Sequence, residues 1–211
     1  MVEALVLGTG GQSRVIISIL KALGDYKIAG ILDTTEHNKS EIIMGISVID
    51  NVDRLCEYYK KGIKNLFIAI GNNKTREEYY SKAVELGFNL PNLISNNSIV
   101  DDSAELGNGN IICANSFIGP EVKIGNNNII NTGAIVEHEV VLENHIHIAS
   151  SAIIAGRVFI GDYVFLGANS TVKECVRIAE KNTIGAGAVV VNDIADSEKT
   201  YVGVPVREVI K

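Results

Sequence analysis

Four histidines are available for proton chemistry in this 211-residue chain: His37, His138, His145 and His147. A neutral imidazole titrates near pH 7 and suits a general base. His138 is flanked by Glu137 and Glu139, and a carboxylate beside an imidazole can hold its tautomer and raise its basicity. A surface histidine in an acidic turn would show the same spacing, so both readings stand at this point. His37 falls in the polar residues 34–40, a loop by composition, and is incidental. The second chemical stretch is Gly8-Thr9-Gly10-Gly11. An apolar strand over residues 3–7 runs straight into it. Residues 12–23 follow with Val15, Ile16, Ile19, Leu20 and Leu23 at helical spacing. A second strand over residues 27–32 ends at Asp33. Glycines that let backbone approach a phosphate, a helix start facing it and an acid closing the second strand make a Rossmann-like opening. Ser13 stands where the dinucleotide fingerprint needs a third Gly or Ala, so NAD is weakly supported. A tight strand-to-helix turn accounts for the same residues.

These groups need elements to hold them. Helices are expected over residues 50–61 and 74–87 with a strand over 65–70 between them, a unit too short for a full two-halved dinucleotide fold. Residues 87–97, with Pro91 and several asparagines, read as a connection. From Val100 to Val190 an aliphatic residue then recurs at every sixth position, sixteen times without a break. Six fits neither a helix at 3.6 nor a strand at two. It fits a hexapeptide repeat, in which three short rungs close one triangular coil, giving a parallel β-helix of about five coils. Each anchor points inward, and the residue four later packs at its level. Asn110, Asn128 and Asn182 occupy such slots and suit amide stacking. Gly107, Gly119, Gly125, Gly161, Gly167 and Gly185 follow anchors, where corners demanding left-handed backbone are expected. On such a coil His138, His145 and His147 scatter over different faces with no cysteine to join them, so no metal is expected. Cys113 and Cys175 have no histidine in register, which argues against a thiol nucleophile.

The repeat resembles that of the left-handed β-helix acyltransferases, and the handedness is an implication of that resemblance. Gly8-Thr9-Gly10-Gly11, Ala69-Ile70-Gly71-Asn72-Asn73, Asn131-Thr132, Glu137-His138-Glu139 and Gly203-Val204-Pro205 together are similar to the bacterial sugar acyltransferases, which include nucleotide-aminosugar N-acetyltransferases and sialic acid O-acetyltransferases. The similarity spans essentially the whole chain. It implies a Rossmann-like nucleotide-sugar domain over residues 1–92 and a left-handed β-helix acetyltransferase domain over 93–211, with residues 201–205 as its C-terminal cap. His138 falls on the family's catalytic base and Glu139 on the acid paired with it, while Glu137 is expected to face solvent. Asn131 matches a position that orients substrate. Gly10, Gly11, Gln12 and Ser13 would lie against the sugar substrate, Asp33 would bond its polar end, and Gly71 and Asn72 would line the same crevice. His147 and the backbone of Gly156, Ala168 and Ala186 would meet acetyl-CoA, with Lys173, Lys181 and Arg207 as candidate partners for its phosphates. His145 is expected at the surface. Members are homotrimers with sites between neighbouring subunits. The implied activity is acetyl-CoA-dependent N-acetylation of a nucleotide-linked amino sugar, a UDP-4-amino-4,6-dideoxyhexose. Gln12-Ser13-Arg14, where many N-acetyltransferases carry His after the double glycine, favours O-acetylation of sialic acid or a related sugar as the alternative. A non-catalytic scaffold in a surface-glycan pathway is the third.

Composition narrows the partners. A net charge of −6 with no basic stripe argues against sequence-independent nucleic acid binding. No run of eighteen apolar residues suggests membrane insertion, and Met1-Val2-Glu3-Ala4 lacks the basic flank of a signal peptide. Three widely spaced cysteines, Cys56, Cys113 and Cys175, suit a reduced, cytoplasmic protein.

Overall fold

The computed structural model describes residues 1–34 and 41–210; His37 lies outside them. The chain divides into two compact units, Met1–Asn96 and Asn97–Lys211, four residues beyond the boundary drawn from sequence.

In the first unit β1 (Val2–Leu7) leads to α1 (Gly11–Leu23) and β2 (Tyr26–Asp33), then β3 (Ile42–Ile43), β4 (Ile46–Asn51), α2 (Leu55–Lys60), β5 (Asn65–Ile68) and α3 (Asn73–Glu85). The sheet order is β3-β4-β2-β1-β5. It is parallel apart from the β3–β4 hairpin. A central parallel strand is covered on both faces, and so Ala4, Leu5, Val6 and Leu7 form an unbroken apolar run with no exposure. α1 turns Ile16, Ile17, Ile19 and Leu20 inward and stops at Gly24, whose left-handed φ of 75° lets its N–H reach the Leu20 carbonyl. Two expectations need correction here. Residues 50–61 are not one helix: the Asn51 side chain accepts from the Asp53 N–H at 2.9 Å and starts a 3₁₀ turn, Val52–Arg54, before α2. The hairpin is likewise absent from the sequence-based expectations, because its turn is Met44-Gly45, with φ of 50° and 78°. Two consecutive left-handed residues make the turn that suits a two-residue hairpin loop, and Met is an uncommon first member.

The second unit is the expected coil. The strands of its coils are two residues long and stack in three sheets, parallel throughout except where Thr200–Val202 pairs antiparallel with Arg207–Glu208 at the end of one. The first face carries Ile99–Val100, Phe117–Ile118, Ile135–Val136, Ile153–Ile154, Thr171–Val172 and Val189–Val190. The second runs from Glu105–Leu106 through Lys123–Ile124, Val141–Leu142 and Phe159–Ile160 to Arg177–Ile178. The third includes Ile111–Ile112, Ile129–Ile130, His147–Ile148, Phe165–Leu166 and Thr183–Ile184, followed by Thr200–Val202. Partners across a sheet, such as Ile118 and Val136, are 136 − 118 = 18 residues apart, so one coil is 18 residues. The anchors fill the prism; Val100 and Leu106, in the opening rungs, are only half-buried. Of the inward asparagines Asn110 and Asn128 stack on each other, while Asn182 bonds to the backbone of Ala179, Asp196 and Lys199. Asn128 takes the Ile146 N–H on Oδ1 at 2.7 Å and donates Nδ2 to the Glu143 carbonyl at 3.0 Å, while its own N–H goes to Asn110 Oδ1 at 2.9 Å. Buried amides that satisfy one another carry little desolvation penalty.

The corners differ from expectation in one respect. The left-handed residue is not the one after the anchor but the third after it: Asn115, Glu121, Asn127, Glu139, His145, Ser151 and Arg157 all have φ near 60°. Glycines directly after anchors are needed for space. A Cβ on Gly167 would stand 2.5 Å from the Ala186 nitrogen in the next coil.

Candidate active site

The 18-residue coil decides which side chains can meet, because a residue at one corner stacks on those 18 before and after it. His138 follows the strand Ile135–Val136, at the corner between the first and second faces. Its Nδ1 is 2.9 Å from Oε2 of Glu139. From the next coil Arg157 brings Nε to 2.9 Å from that same oxygen, and the Arg157 N–H donates to the His138 carbonyl at 3.0 Å. Gly156 lies under the ring, where a Cβ would come within 2.5 Å of Cε1 and Nε2. The bond to His138, and after it the bond to Arg157, hold the Glu139 carboxyl below its usual range. An ionised carboxylate only accepts, so Nδ1 is the donor in this contact, and in the neutral ring the lone pair is then on Nε2. That is the form a general base requires. Glu137 is half-buried rather than fully turned to solvent.

Asn131 precedes the same strand, at the corner between the third and first faces. Its Nδ2 is 3.5 Å from Nε2 of His147, and its Oδ1 accepts from the Thr132 N–H at 2.8 Å. The His147 ring meets Phe165 edge-on at 5.2 Å. Going down this corner from Asn131 in steps of 18 come Ala149, Gly167 and Gly185, with exposed Ala168 and Ala186 beside them. It is a strip of nearly bare backbone. Within one chain, therefore, His138, Glu139 and Gly156 come together at one corner, and Asn131, His147, Ala168 and Ala186 at another. The first face lies between them.

His145 is half-buried at the third corner, stacked on Tyr163 at 5.0 Å with Nδ1 2.8 Å from Asn127 Nδ2, so the three histidines of this unit do not converge. Among the described residues no group of three or more His, Cys, Asp or Glu could hold a metal. Lys181 is engaged by Glu180 and Glu198, each at 3.4 Å. Lys173 stands 4.0 Å from Glu174, and Arg207 is exposed.

In the first unit Gly10–Ser13 and Gly71–Asn72 follow the carboxyl ends of β1 and β5, and Asp33 is the last residue of β2, adjacent to β1. Gly10 and Gly11 are open: a methyl added to either would meet nothing within 4 Å. Gly8, at φ 113°, packs so closely that a Cβ would be 2.8 Å from the Ala69 carbonyl oxygen. Ser13, in the third-glycine position, is fully buried and donates Oγ to the Gly10 carbonyl at 2.6 Å. Asp33 is 4% exposed and accepts from Thr9 Oγ1 at 3.0 Å and the Thr34 N–H at 2.7 Å. It therefore braces the glycine loop. Gln12 is half-buried, and its Nε2 has no partner among the described residues. Asn72 caps α3, taking the Thr75 N–H at 3.0 Å.

Two contributors lie outside the residues singled out from sequence. Arg157 was findable, since adding one coil to Glu139 gives 157. Arg76 was not: it looks like any helix-surface arginine, yet it is 1% exposed and donates to the carbonyls of Ile70 at 3.2 Å and Gly71 at 3.1 Å and to Asn73 Oδ1 at 2.9 Å. Burial pulls its guanidinium down to about 9, so it stays charged at neutral pH while clamping the loop after β5.

Residues 3–83 match the PglD N-terminal domain, and residues 157–192 match the bacterial transferase hexapeptide of six repeats. No curated protein matches the chain. Among solved structures, perosamine N-acetyltransferase from Caulobacter crescentus, a variant with one histidine changed to asparagine in complex with CoA and GDP-perosamine, superposes with a TM-score of 0.94 at 32% identity, over 99% of this chain and 97% of that one. The acetyltransferase domain of PglB from Neisseria gonorrhoeae FA1090, in complex with acetyl coenzyme A, gives 0.90 at 29% identity over 98% of each chain. WeeI from Acinetobacter baumannii AYE, at 21% identity and a TM-score of 0.88 over 99% of this chain and 100% of its own, shares the fold. With 32% identity over nearly its whole length to the Caulobacter enzyme, and with a glycine-loop unit leading into a left-handed β-helix, the chain belongs to the bacterial sugar acyltransferase family.

Proposed function

We propose that this acyltransferase, which uses acetyl-CoA as co-substrate, N-acetylates a nucleotide-linked amino sugar with His138 as general base. The observation that carries the reading is the 2.9 Å contact of His138 Nδ1 with an ionised Glu139, which leaves Nε2 free to take a proton. An acceptor that arrives as ammonium first releases one proton to solvent; the neutral amine nitrogen then attacks the thioester carbonyl carbon and the C–S bond breaks. The proton lost by nitrogen passes to Nε2 of His138 and from there to the departing sulfur, giving free coenzyme A. No covalent enzyme intermediate is needed. Cys113 is ill suited to one, since it has no exposure and burial pushes its thiol up to about 11. Glu121, Glu137, Glu139 and Glu174 share the His138 corner with Arg157 and Lys173, an acidic excess that favours an amino acceptor, which arrives as ammonium, over a neutral hydroxyl.

Asn131 would orient the acceptor, and His147 with the bare strip beside Ala168 and Ala186, together with Gly156 from the His138 corner, would meet the acetyl and pantetheine groups. Gly10, Gly11, Gln12, Ser13, Gly71 and Asn72 would receive the nucleotide sugar, with Asp33 holding their loop. A homotrimer suits the split site. The outward residues of the first face, Ile99, Phe117, Ile135, Ile153, Thr171 and Val189, are apolar or β-branched, and Ile99 and Ile153 are 64% and 39% exposed. Packing copies through that face would bring the His138 corner of one chain to the Asn131 corner of its neighbour.

The test is release of coenzyme A thiol with UDP-linked and GDP-linked amino sugars and with a sialic acid, for the native enzyme and His138→Ala. The family resemblance implies a UDP sugar and the Caulobacter neighbour holds GDP-perosamine, so both nucleotides are needed. Turnover of an amino sugar that disappears in the variant is the expected result. Turnover of hydroxyl acceptors alone would move the assignment to O-acetylation, and none at all to a scaffold.

A further inference from the structure

We propose that Arg157 is a positioning residue for the base: it pins the Glu139 carboxylate against His138 and offsets its charge, so that the imidazole is held in place yet stays free to accept a proton. The inference rests on the reading of His138 as base.

The geometry is a three-way contact on one atom. Glu139 Oε2 lies 2.9 Å from His138 Nδ1 and 2.9 Å from Arg157 Nε. Glu139 sits in the left-handed backbone of a coil corner, φ 58°, and Arg157 in the equivalent place one coil later, φ 62°. The guanidinium therefore rises from the matching corner position of the next coil, tied to the first by the Arg157 N–H to His138 carbonyl bond at 3.0 Å. Fixing the carboxylate fixes which ring edge faces outward.

Charge gives the second half. The groups that share this corner are Glu137 beside the ring, Glu121 in the preceding coil, and Glu174, Lys173 and the exposed Cys175 in the following one, with Lys173 and Glu174 4.0 Å apart. A carboxylate beside an imidazole favours its protonated form, and a protonated ring cannot act as base. Without Arg157 the ring would face Glu139 and its acidic neighbours with no cation bonded to that carboxylate. With it, one positive charge is bonded to the very oxygen that holds the ring.

The test compares native enzyme, Arg157→Gln and Arg157→Lys, each checked for intact oligomer. In Arg157→Gln the acid limb of the kcat profile is expected about 0.5 pH unit higher, the scale of a partly exposed ion pair. At pH 7 kcat should fall about fivefold with KM for acetyl-CoA unchanged. Arg157→Lys should return the acid limb to its native position while recovering only part of kcat, because an ammonium carries the charge without the planar donor. A profile that overlays the native one, with kcat within about twofold, overturns the proposal. Nitrogen NMR of the His138 ring, with its signals identified by their loss in His138→Asn, separates the two readings. A weakened Nδ1–H tautomer in Arg157→Gln supports the role of Arg157 whether or not His138 is catalytic, and an unchanged ring spectrum removes it. Full activity in His138→Ala removes the base instead.

Discussion

The imidazole of His138 rests on Gly156, one coil further along. A Cβ built on that glycine would stand 2.5 Å from Cε1, 2.5 Å from Nε2 and 3.1 Å from Cδ2. Gly156 does not have a left-handed φ, so its backbone would admit any residue. What forbids a side chain is the ring. Family resemblance implies that Gly156 meets acetyl-CoA; the coil also makes it the floor on which the imidazole of His138, the proposed base, lies.

Gly156→Ala should therefore act through His138. The methyl and the ring cannot occupy the same place, and the half-exposed imidazole is the partner free to move. Displacing a reacting group by about 1 Å costs on the order of 10²-fold in rate. The expected outcome is a drop of that order in kcat with a thermal midpoint close to native, measured by thiol release and by thermal melting. A variant with native kcat would show that the ring can be moved without consequence, which is incompatible with its role as base.

Glu139→Ala removes the carboxylate and leaves the ring free to turn on its corner. kcat should fall about tenfold to a hundredfold, within the range of a single proton-transfer contribution, while the acetyl-CoA dissociation constant by calorimetry stays within about twofold. Loss of the oligomer in this variant would reassign Glu139 to structure.

Much of this is legible in the sequence, and the reasons are physical. Ile112, Ile118, Ile124 and the anchors after them must each point into one narrow prism, so the period of six is imposed at every coil and appears as an unbroken series. Helix α1 declares itself because its glycine-bounded ends and apolar stripe agree. Less visible are features that depend on an exact stacking distance. The corner glycines suggest backbone freedom, whereas Gly167 is small because Ala186 lies against it. Arg157 escapes notice because it pairs with Glu139 only when positions are compared 18 apart. Arg76 and the Met44-Gly45 hairpin give no signal. A buried arginine has the same spelling as an exposed one, and a turn with Met in left-handed backbone does not follow turn preference. The grouping of the site residues into two corners is implicit throughout: Asn131 and His138 are seven apart, just over one rung, and one rung is one face.

The prism itself can be tested at Ile124, which is 2% exposed and whose neighbours along the sheet are Leu106 and Leu142. Ile124→Asp would place an unpaired carboxylate among aliphatic side chains, a cost of several kcal/mol. The protein is expected to be insoluble or to melt far below the native midpoint. Ile124→Val, which removes one methylene and leaves the pattern intact, should cost about 1 kcal/mol. Soluble, native-like Ile124→Asp would mean that the inward register is wrong.

The two separated corners yield a decisive experiment on assembly. If one chain supplies His138 and its neighbour supplies Asn131 and His147, two inactive variants can repair each other. His138→Ala still carries an intact Asn131 corner, and Asn131→Ala still carries an intact His138 corner. Mixed at equal amounts in one assembly, each interface pairs an intact His138 with an intact Asn131 about one time in four, so about a quarter of native activity should return in a closed ring. If instead each chain held a complete site, every chain in the mixture would lack one residue and no activity would return. The same logic fixes the control: the double variant His138→Ala with Asn131→Ala, mixed with native chains, leaves intact pairs at about one interface in four, matching the complementing mixture. Equal recovery in the two mixtures, read as thiol release after co-expression with different tags, is the expected result, and recovery only in the second would place the whole site within one chain.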